Sequence, residues 1–403
     1  MKQTGINMEM VKKKNRCSIL NCINRSGSIS RKDIACALGL TPAAVTQICG
    51  EFIENGVLVE SGDAMETKRA GRRKVMLSIN YDYRYVLGIN IDIEKTVIAL
   101  TNLKGEAVCI REIGAAKKAE PEHFLQQVAD VCREMWKQAG VTKDLIVGAG
   151  VGIPGIVDKE KGISIHAYGI WQEKVPVAKL LSLFLDLPVV VENNVSAFAL
   201  AEMIYGIGRK KDNLMIIRWG PGVGGAIVAD KKIYGGRNGR AAELGHLIVE
   251  KFGRKCTCGR TGCLETKICY AAVSEQLREM FSIEKTPKMY AVLGGDFRNF
   301  SREKFCEIVL DMDEPVEALL EDMLDLFARS IVNCMTILAP NRVVLSGSMF
   351  RSDLLFQGLI ACCSFYDERY DETNIIRTML ADSEDYIGAV ALFVASYLYG
   401  IDA

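Results

Sequence analysis

The chain has 403 residues, room for two to four ordinary domains, and its 49% apolar and 25% charged residues exclude a largely disordered protein. Fifty basic residues balance fifty acidic ones, so bulk charge points to neither nucleic acid nor membrane. The balance is uneven: up to Val86 there are 14 basic against 8 acidic residues, a net of +6, leaving 36 against 42 for the rest. A basic head on an acidic body is the first functional clue.

The head, residues 1–80, reads as three helices and a hairpin. Asn7 caps a first helix with the apolar face Met10, Ile19, Leu20 and Ile23, ended by Ser26-Gly27. Ser30 caps Arg31–Leu38, with Asp33 placed to suit the helix N-terminus, and Gly39 closes it. Thr41-Pro42 opens the next helix, which Asn55-Gly56 stops. Two β-rich pieces follow, Val57–Glu60 and Val75–Ile79, joined by a polar loop that ends in Arg72, Arg73 and Lys74. This is a winged helix–turn–helix pattern, whose second helix enters the major groove of DNA. Thr41, Ala43, Ala44, Thr46 and Gln47 then reach base edges, with Gln47 able to pair bidentately with adenine. Arg31 and the wing residues Arg72, Arg73 and Lys74 meet the backbone or minor groove. The competing reading of the same helices is a small subdomain for protein contacts.

From Tyr85 the pattern alternates strands and helices, which argues α/β architecture. Val86–Ile93, Thr96–Leu103 and Glu106–Ile113 read as consecutive strands, and Pro121–Ala139 as a helix with Leu125, Val128, Cys132 and Trp136 on one face. Leu145–Gly152, Pro188–Glu192, Leu214–Trp219 and Arg342–Leu345 read as further strands. The longest uncharged run, Tyr386–Ile401, is shorter than the roughly 20 residues that span a bilayer and reads as a buried helix. Cys17–Asn24 is too short and polar for a signal-peptide core. Fourteen cysteines, mostly scattered singly, fit a reducing cytoplasm. The expectation is a cytoplasmic chain with no membrane partner.

One cysteine cluster stands out: Cys256-x-Cys258-x4-Cys263, with His246 ten residues upstream. Three thiolates and one imidazole complete a tetrahedral, structural Zn²⁺ shell with no open position for catalysis. Gly-rich turns follow two strands, Gly150-Val-Gly152-Ile-Pro154-Gly155 and Gly220-Pro-Gly222-Val-Gly224-Gly225. Each suits a backbone approach to phosphate or sugar oxygens, or a plain tight turn. Glu192-Asn193-Asn194 and Glu243-Leu-Gly-His246 place carboxylates and amides where polyhydroxyl ligands are held.

In this order the motifs resemble the ROK family of repressors and sugar kinases, from about residue 10 to about 395. The most specific element is Glu243-Leu-Gly-His246 followed by Cys256-Thr-Cys258-Gly-Arg-Thr-Gly-Cys263-Leu-Glu265, which matches the family's zinc signature in full. The resemblance implies a winged helix–turn–helix (1–80) followed by a two-lobed, actin-like domain of the sugar-kinase, RNase H-like type. Lobe 1 covers 85–200, with the helix at 386–400 packing back on it, and lobe 2 covers 201–385 with the zinc site. It implies sugar contacts from Asn193, Asn194, Glu243, His246 and Glu265, with Gly155 lining the floor, and zinc on His246, Cys256, Cys258 and Cys263.

The family's kinase signatures are altered here. Its Asp-x-Gly-Gly-Thr phosphate loop aligns with Asn90-Ile-Asp92-Ile93-Glu94, and its Gly-Thr-Gly with Gly220-Pro221-Gly222. Its catalytic Asp aligns with Asn194, whose amide cannot accept a proton. The turn Leu345-Ser-Gly347-Ser348-Met349 lacks the usual glycine pair. The expected function is a sugar-responsive transcriptional regulator, most simply a repressor of carbohydrate-utilisation genes released by a monosaccharide or sugar phosphate. It would bind double-stranded operator DNA as a homodimer or homotetramer, without enzymatic activity. A sugar kinase with an appended DNA-binding domain, and a zinc-stabilised scaffold that binds no sugar, are the alternatives.

Overall fold

The structure, a computed structural model, describes residues 8–61, 75–116, 119–210 and 213–401. The Asn7 cap and the wing residues Arg72, Arg73 and Lys74 lie outside the described residues.

Helices α1 (Met8–Ser26), α2 (Arg31–Leu38) and α3 (Pro42–Glu54) open the chain. Ser30 and Thr41 accept the amides of Asp33 and Ala44, each at 3.3 Å, so the sequence-predicted starts of α2 and α3 hold. Gly39 ends α2 at φ +64°, a left-handed conformation that a Cβ disfavours. Ile19, Leu20, Ile23, Ile34, Val45, Ile48 and Phe52 are buried between the helices. Met10 is not: it is 70% exposed. Nine residues separate it from Ile19, and at about 3.6 residues per turn that is two and a half turns, the opposite face. Strands β1 (Ile29–Ser30), β2 (Leu58–Ser61) and β3 (Met76–Ile79) form the antiparallel wing sheet in the order β1-β3-β2. The two-residue β1 is too short to show any alternation in sequence.

The body begins with β4 (Tyr85–Ile91), β5 (Lys95–Asn102), β6 (Ala107–Gly114), α4 (Pro121–Gln138) and β7 (Ile146–Ile153). The small hairpin β8 (Ile156–Asp158) and β9 (Ile163–His166), then α5 (Val177–Leu185), β10 (Val189–Asn193) and α6 (Asn194–Ile204), complete that half. The second half holds β11 (Leu214–Trp219), β12 (Val223–Ala229) and β13 (Lys232–Ile233). The helices α7 (Glu265–Ile268), α8 (Tyr270–Met280), α9 (Pro287–Val292), α10 (Arg302–Leu310) and α11 (Glu314–Leu338) follow. Then come β14 (Arg342–Ser346), α12 (Asp353–Tyr366), β15 (Ile375–Arg377) and α13 (Ile387–Tyr399).

The two large sheets have one plan. Their orders are β10-β7-β4-β5-β6 and β13-β12-β11-β14-β15; counted within each half, both place the first strand centrally, the next two to one side and the last two to the other. In each, the first, fourth and fifth strands are parallel and the second and third run as an antiparallel meander. This duplication is the actin-like architecture of the sugar-kinase type.

Glycines on the central strands decide where α13 sits. A Cβ on Gly88 would meet Val390 Cγ2 at 2.6 Å, and one on Gly150 would stand 1.9 Å from the Ala389 carbonyl oxygen. Gly150, inside the predicted strand Leu145–Gly152 and at the start of a Gly-rich stretch, is a strand residue that seats a helix backbone. Gly150→Ala is expected to destabilise the chain by about 3 kcal/mol, the upper end of ordinary overpacking. Thermal unfolding should show a drop of several degrees, whereas Gly114→Ala, with nothing within 4 Å of its Cβ position, should not move the midpoint.

The head does not float free of the body. Ile19, Ile23, Leu58 and Leu77 share one apolar cluster with Ala197–Ala201 of α6 and Val390–Ala395 of α13.

Candidate functional site

In the second half, a 3₁₀ turn over Leu244–His246 and the loop Cys256–Cys263 bring one imidazole and three thiols together, with all four donor atoms within 4.8 Å of one another. Cys258 Sγ lies 3.7 Å from Cys263 Sγ, and His246 Nδ1 lies 3.5 Å from Cys256 Sγ. In a tetrahedron with bonds of about 2.3 Å to sulfur and 2.0 Å to nitrogen, the corresponding edges are about 3.8 and 3.5 Å. Two of the six edges therefore have the lengths of a tetrahedral N/S shell, and the four residues together could hold a metal ion. Burial and the neighbouring thiols push the Cys263 thiol up to about 12; a divalent cation is the partner that reverses such a shift. Gly262, at φ +76°, packs so closely that a Cβ would stand 1.7 Å from the Glu250 carbonyl oxygen, which is why the loop needs glycine there.

Carboxylates and an arginine tie this group to its surroundings. Arg260 donates to the His246 carbonyl and to Glu243 Oε2, each at 3.1 Å. Glu265 Oε2 accepts the Val223 amide at 3.2 Å, while its Oε1 lies 3.8 Å from Cys256 Sγ. The turn at Gly222 is thereby fixed to the Cys3His group.

In the first half, Asn193 closes β10 and caps α6, its Oδ1 accepting the amides of Val195 and Ser196 at 2.9 and 3.2 Å. Its Nδ2 donates to the Gly155 carbonyl at 2.9 Å, so three of its hydrogen-bonding positions serve the scaffold. Asn194 is buried beside Gly152 and Asn90. Gly155 adopts φ +92° with the His166 carbonyl 2.1 Å from where a Cβ would be. Glu192 is held mostly out of water, and that burial raises its pKa despite the Asn193 amide it accepts.

The halves meet through β12. A Cβ on Gly224 would meet Val195 of α6 at 2.7 Å, and one on Gly225 would meet the Ala242 carbonyl at 2.6 Å. The glycine doublet, a possible ligand-binding turn in sequence, is a packing device that lets α6 and the Glu243 segment approach from opposite sides. Across the gap, the Tyr168 ring stands 5.5 Å from His246 and 4.9 Å from His166.

A second cleft, of about 430 Å³, is lined by Asn90, Asp92, Glu94, Gly220, Pro221, Gly347 and Ser348, the segments in which the sequence departs from kinase signatures. The chain's own carboxylates engage its donors. Glu384 accepts the Gly347 amide at 3.0 Å and pairs with Arg351 at 3.1 Å. Asp385 pairs with Arg218 and with Lys95, each at 3.4 Å, and Glu94 pairs with Arg302 across the cleft. Burial raises the Asp92 pKa, with Arg218 pulling the other way.

Residues 86–396 match the ROK family, and residues 13–59 match a winged helix-turn-helix DNA-binding family. The chain belongs to the ROK family. It is 26% identical over 395 residues to a putative xylose repressor of Caldicellulosiruptor sp. strain Rt8B.4, covering 97% of this chain and 98% of that one. It is 24% identical over 400 residues to the DNA-binding transcriptional dual regulator NagC of Escherichia coli K12, covering 98% and 96%. The crystal structure of a ROK family transcriptional regulator, a homologue of the E. coli MLC protein, superimposes with a TM-score of 0.78 at 22% identity, covering 97% and 98%. This ROK chain is a transcriptional regulator and not an enzyme.

In the second cleft, Glu94, Glu384 and Asp385 are each paired with a cation of the same lining, Arg302, Arg351, and Arg218 with Lys95, so its donors are already engaged within the chain. On the DNA-facing head, Thr41, Ala43, Thr46 and Gln47 are exposed and Ala44 is half-buried. Gln47 Nε2 donates to Glu51 at 3.3 Å, and Arg31 pairs with Glu60 of the wing at 2.8 Å. Among the described residues, no helix is long and apolar enough to cross a membrane.

Sequence reading missed Tyr168, Arg260 and the pair Glu384-Asp385. Arg260 carried a signal, since it lies inside the cysteine motif. Tyr168 sits in an irregular loop with no periodicity, and Glu384-Asp385 lie almost 300 residues from Lys95. Trp171, beside the same loop, is buried in the apolar core of the first half, edge-on to Phe124 at 6.1 Å. His123 is an exposed residue in the first turn of α4.

Proposed function

We propose that the chain is a sugar-responsive repressor of carbohydrate-utilisation genes that acts on operator DNA in the cytoplasm as a homodimer or homotetramer. A monosaccharide or sugar phosphate enters between Asn193-Asn194 on one side and Glu243, His246 and Glu265 on the other, over the floor at Gly155. The observation that carries this reading is the contrast between the two clefts. Glu243, His246 and Glu265 are held together about the cysteine loop, while the Gly347 amide and the cations of the second cleft are engaged by the chain's own acids. The names of the relatives, repressors of xylose and N-acetylglucosamine type, support a sugar as the effector class.

Zn²⁺ held by His246, Cys256, Cys258 and Cys263 supplies a fixed anchor and no reaction. His246 engages the thiol side through Nδ1, which leaves Nε2 for a sugar hydroxyl. Arg260 orients Glu243, and Tyr168 offers an aromatic wall to the sugar's C–H face. On the DNA, Thr41, Ala43, Ala44, Thr46 and Gln47 read bases, and Arg31, Arg72, Arg73 and Lys74 hold the backbone.

The test is binding to the DNA upstream of the chain's own gene, titrated with D-xylose, D-glucose, N-acetylglucosamine and their phosphates. One of them should weaken operator binding about 5- to 150-fold, the usual range of allosteric coupling. Operator affinity unchanged across the panel would sink the sensing reading.

A further inference from the structure

We propose that α6 is the mechanical link between the sugar cleft and the DNA-binding head, and that Asn24 of α1 fastens its far end. The inference rests on the cleft reading above and names the residue through which that site reaches the DNA. Helix α6 starts inside the cleft, where Asn193 caps it and Asn194 is its first residue. It ends against the head: the Ile204 carbonyl, in its last turn, accepts Asn24 Nδ2 at 3.1 Å. Eleven residues at about 1.5 Å each make a rod of about 16 Å.

The rod has little freedom to bend. Val195, Ala197 through Glu202, and Ile204 are all buried, and close-packed interiors transmit displacement instead of absorbing it.

Asn24 is only 8% exposed, inside the apolar cluster that joins head and body. Its Oδ1 accepts the Tyr81 hydroxyl at 2.9 Å, and its own carbonyl accepts from Arg209, just beyond α6. Tyr81 lies where the chain leaves the wing, and its carbonyl accepts the Leu103 amide of the body at 3.0 Å. Three elements therefore converge on one residue: α1, the exit from the wing and the end of α6. Apolar side chains alone tolerate sliding, whereas directional bonds in a buried setting fix one arrangement. A shift of the α6 cap by a ligand moves the Ile204 carbonyl, and Asn24 carries that movement into α1.

Asn24→Leu keeps the branched outline and removes the two side-chain bonds, to the Ile204 carbonyl and the Tyr81 hydroxyl, while the backbone carbonyl still accepts from Arg209. Operator affinity without sugar and sugar affinity without DNA should each stay within about threefold of the parent chain, while the sugar-induced change in operator affinity falls below twofold. Asn21→Leu is the comparison, because Asn21 Nδ2 bonds the Tyr399 carbonyl at 3.1 Å across the same interface but away from α6; its coupling should persist. Full coupling in Asn24→Leu, or equal loss in Asn21→Leu, overturns the proposal. If Asn24→Leu fails to fold, Tyr81→Phe removes one hydroxyl and should lower the coupling by itself; an unchanged ratio there also overturns it.

A second readout needs no sugar. Coupling is reciprocal, so operator binding should change hydrogen exchange at the Val195 and Ser196 amides in the parent chain and not in Asn24→Leu. No change in the parent chain rejects the link. A parent chain that ignores every sugar yet shows this exchange response would sink the effector reading and leave the α6 link standing.

Discussion

Replacing Cys263 with serine is expected to empty the metal group and abolish the sugar response while operator binding survives. Between Glu243 and Glu265 the chain has only a 3₁₀ turn and isolated bridges such as Ile248 with Cys263 and Lys255 with Thr261. Little regular structure holds Glu243 and His246 in place there, so on the proposal above a metal at the Cys3His group would be the principal organiser. The head belongs to a separate apolar cluster that includes α6 and α13 and none of the metal ligands, so its fold does not depend on the ion. Elemental analysis should find about one zinc per parent chain, a closed structural shell, and little in Cys263→Ser. Sugar affinity should fall at least tenfold, the loss of one hydrogen bond to a charged group. Prolonged chelation should reproduce both effects. A Cys263→Ser chain that keeps zinc stoichiometry and full sugar response would remove the metal from the sensing account.

What the sequence made legible follows from the range of the interactions involved. Caps and terminators act within four residues, so Ser30, Gly39 and Thr41 announced α2 and α3 correctly. The metal group was legible because three ligands lie within eight residues and their chemistry is restrictive. Met10 was misplaced because one apolar residue at a distance fixes no phase; only the neighbours of Ile19 and Ile23 do. The glycines were ambiguous for another reason. Gly150 and Gly224 owe their identity to Ala389 and Val195, partners invisible until the sheets form. The cleft at Gly347 shows both sides: its altered kinase motifs were readable one by one, but not the pairing of Glu384 with the Gly347 amide or of Glu94 with Arg302.

Glu243→Gln separates sensing from every other property of the chain. The Glu243 side chain is 22% exposed, and Arg260 holds only its Oε2, which leaves Oε1 for a sugar hydroxyl. A hydroxyl bonded to a carboxylate contributes about 1.5–3 kcal/mol, more than one bonded to a neutral amide. Glutamine keeps the weaker bond, so sugar affinity should fall by the difference, about 1–1.5 kcal/mol or roughly 5- to 12-fold. Glutamine has the same shape, Glu243 is not among the four metal donors, and the head is remote, so zinc content and sugar-free operator affinity should both match the parent. The result is a repressor that binds its operator and is no longer released by sugar at concentrations that free the parent. Cys263→Ser shares that phenotype but loses the metal, so the pair distinguishes the hydroxyl contact from the scaffold that presents it. If Glu243→Gln responds to sugar as the parent does, Glu243 is a structural partner of Arg260 alone and the effector lies elsewhere in the cleft.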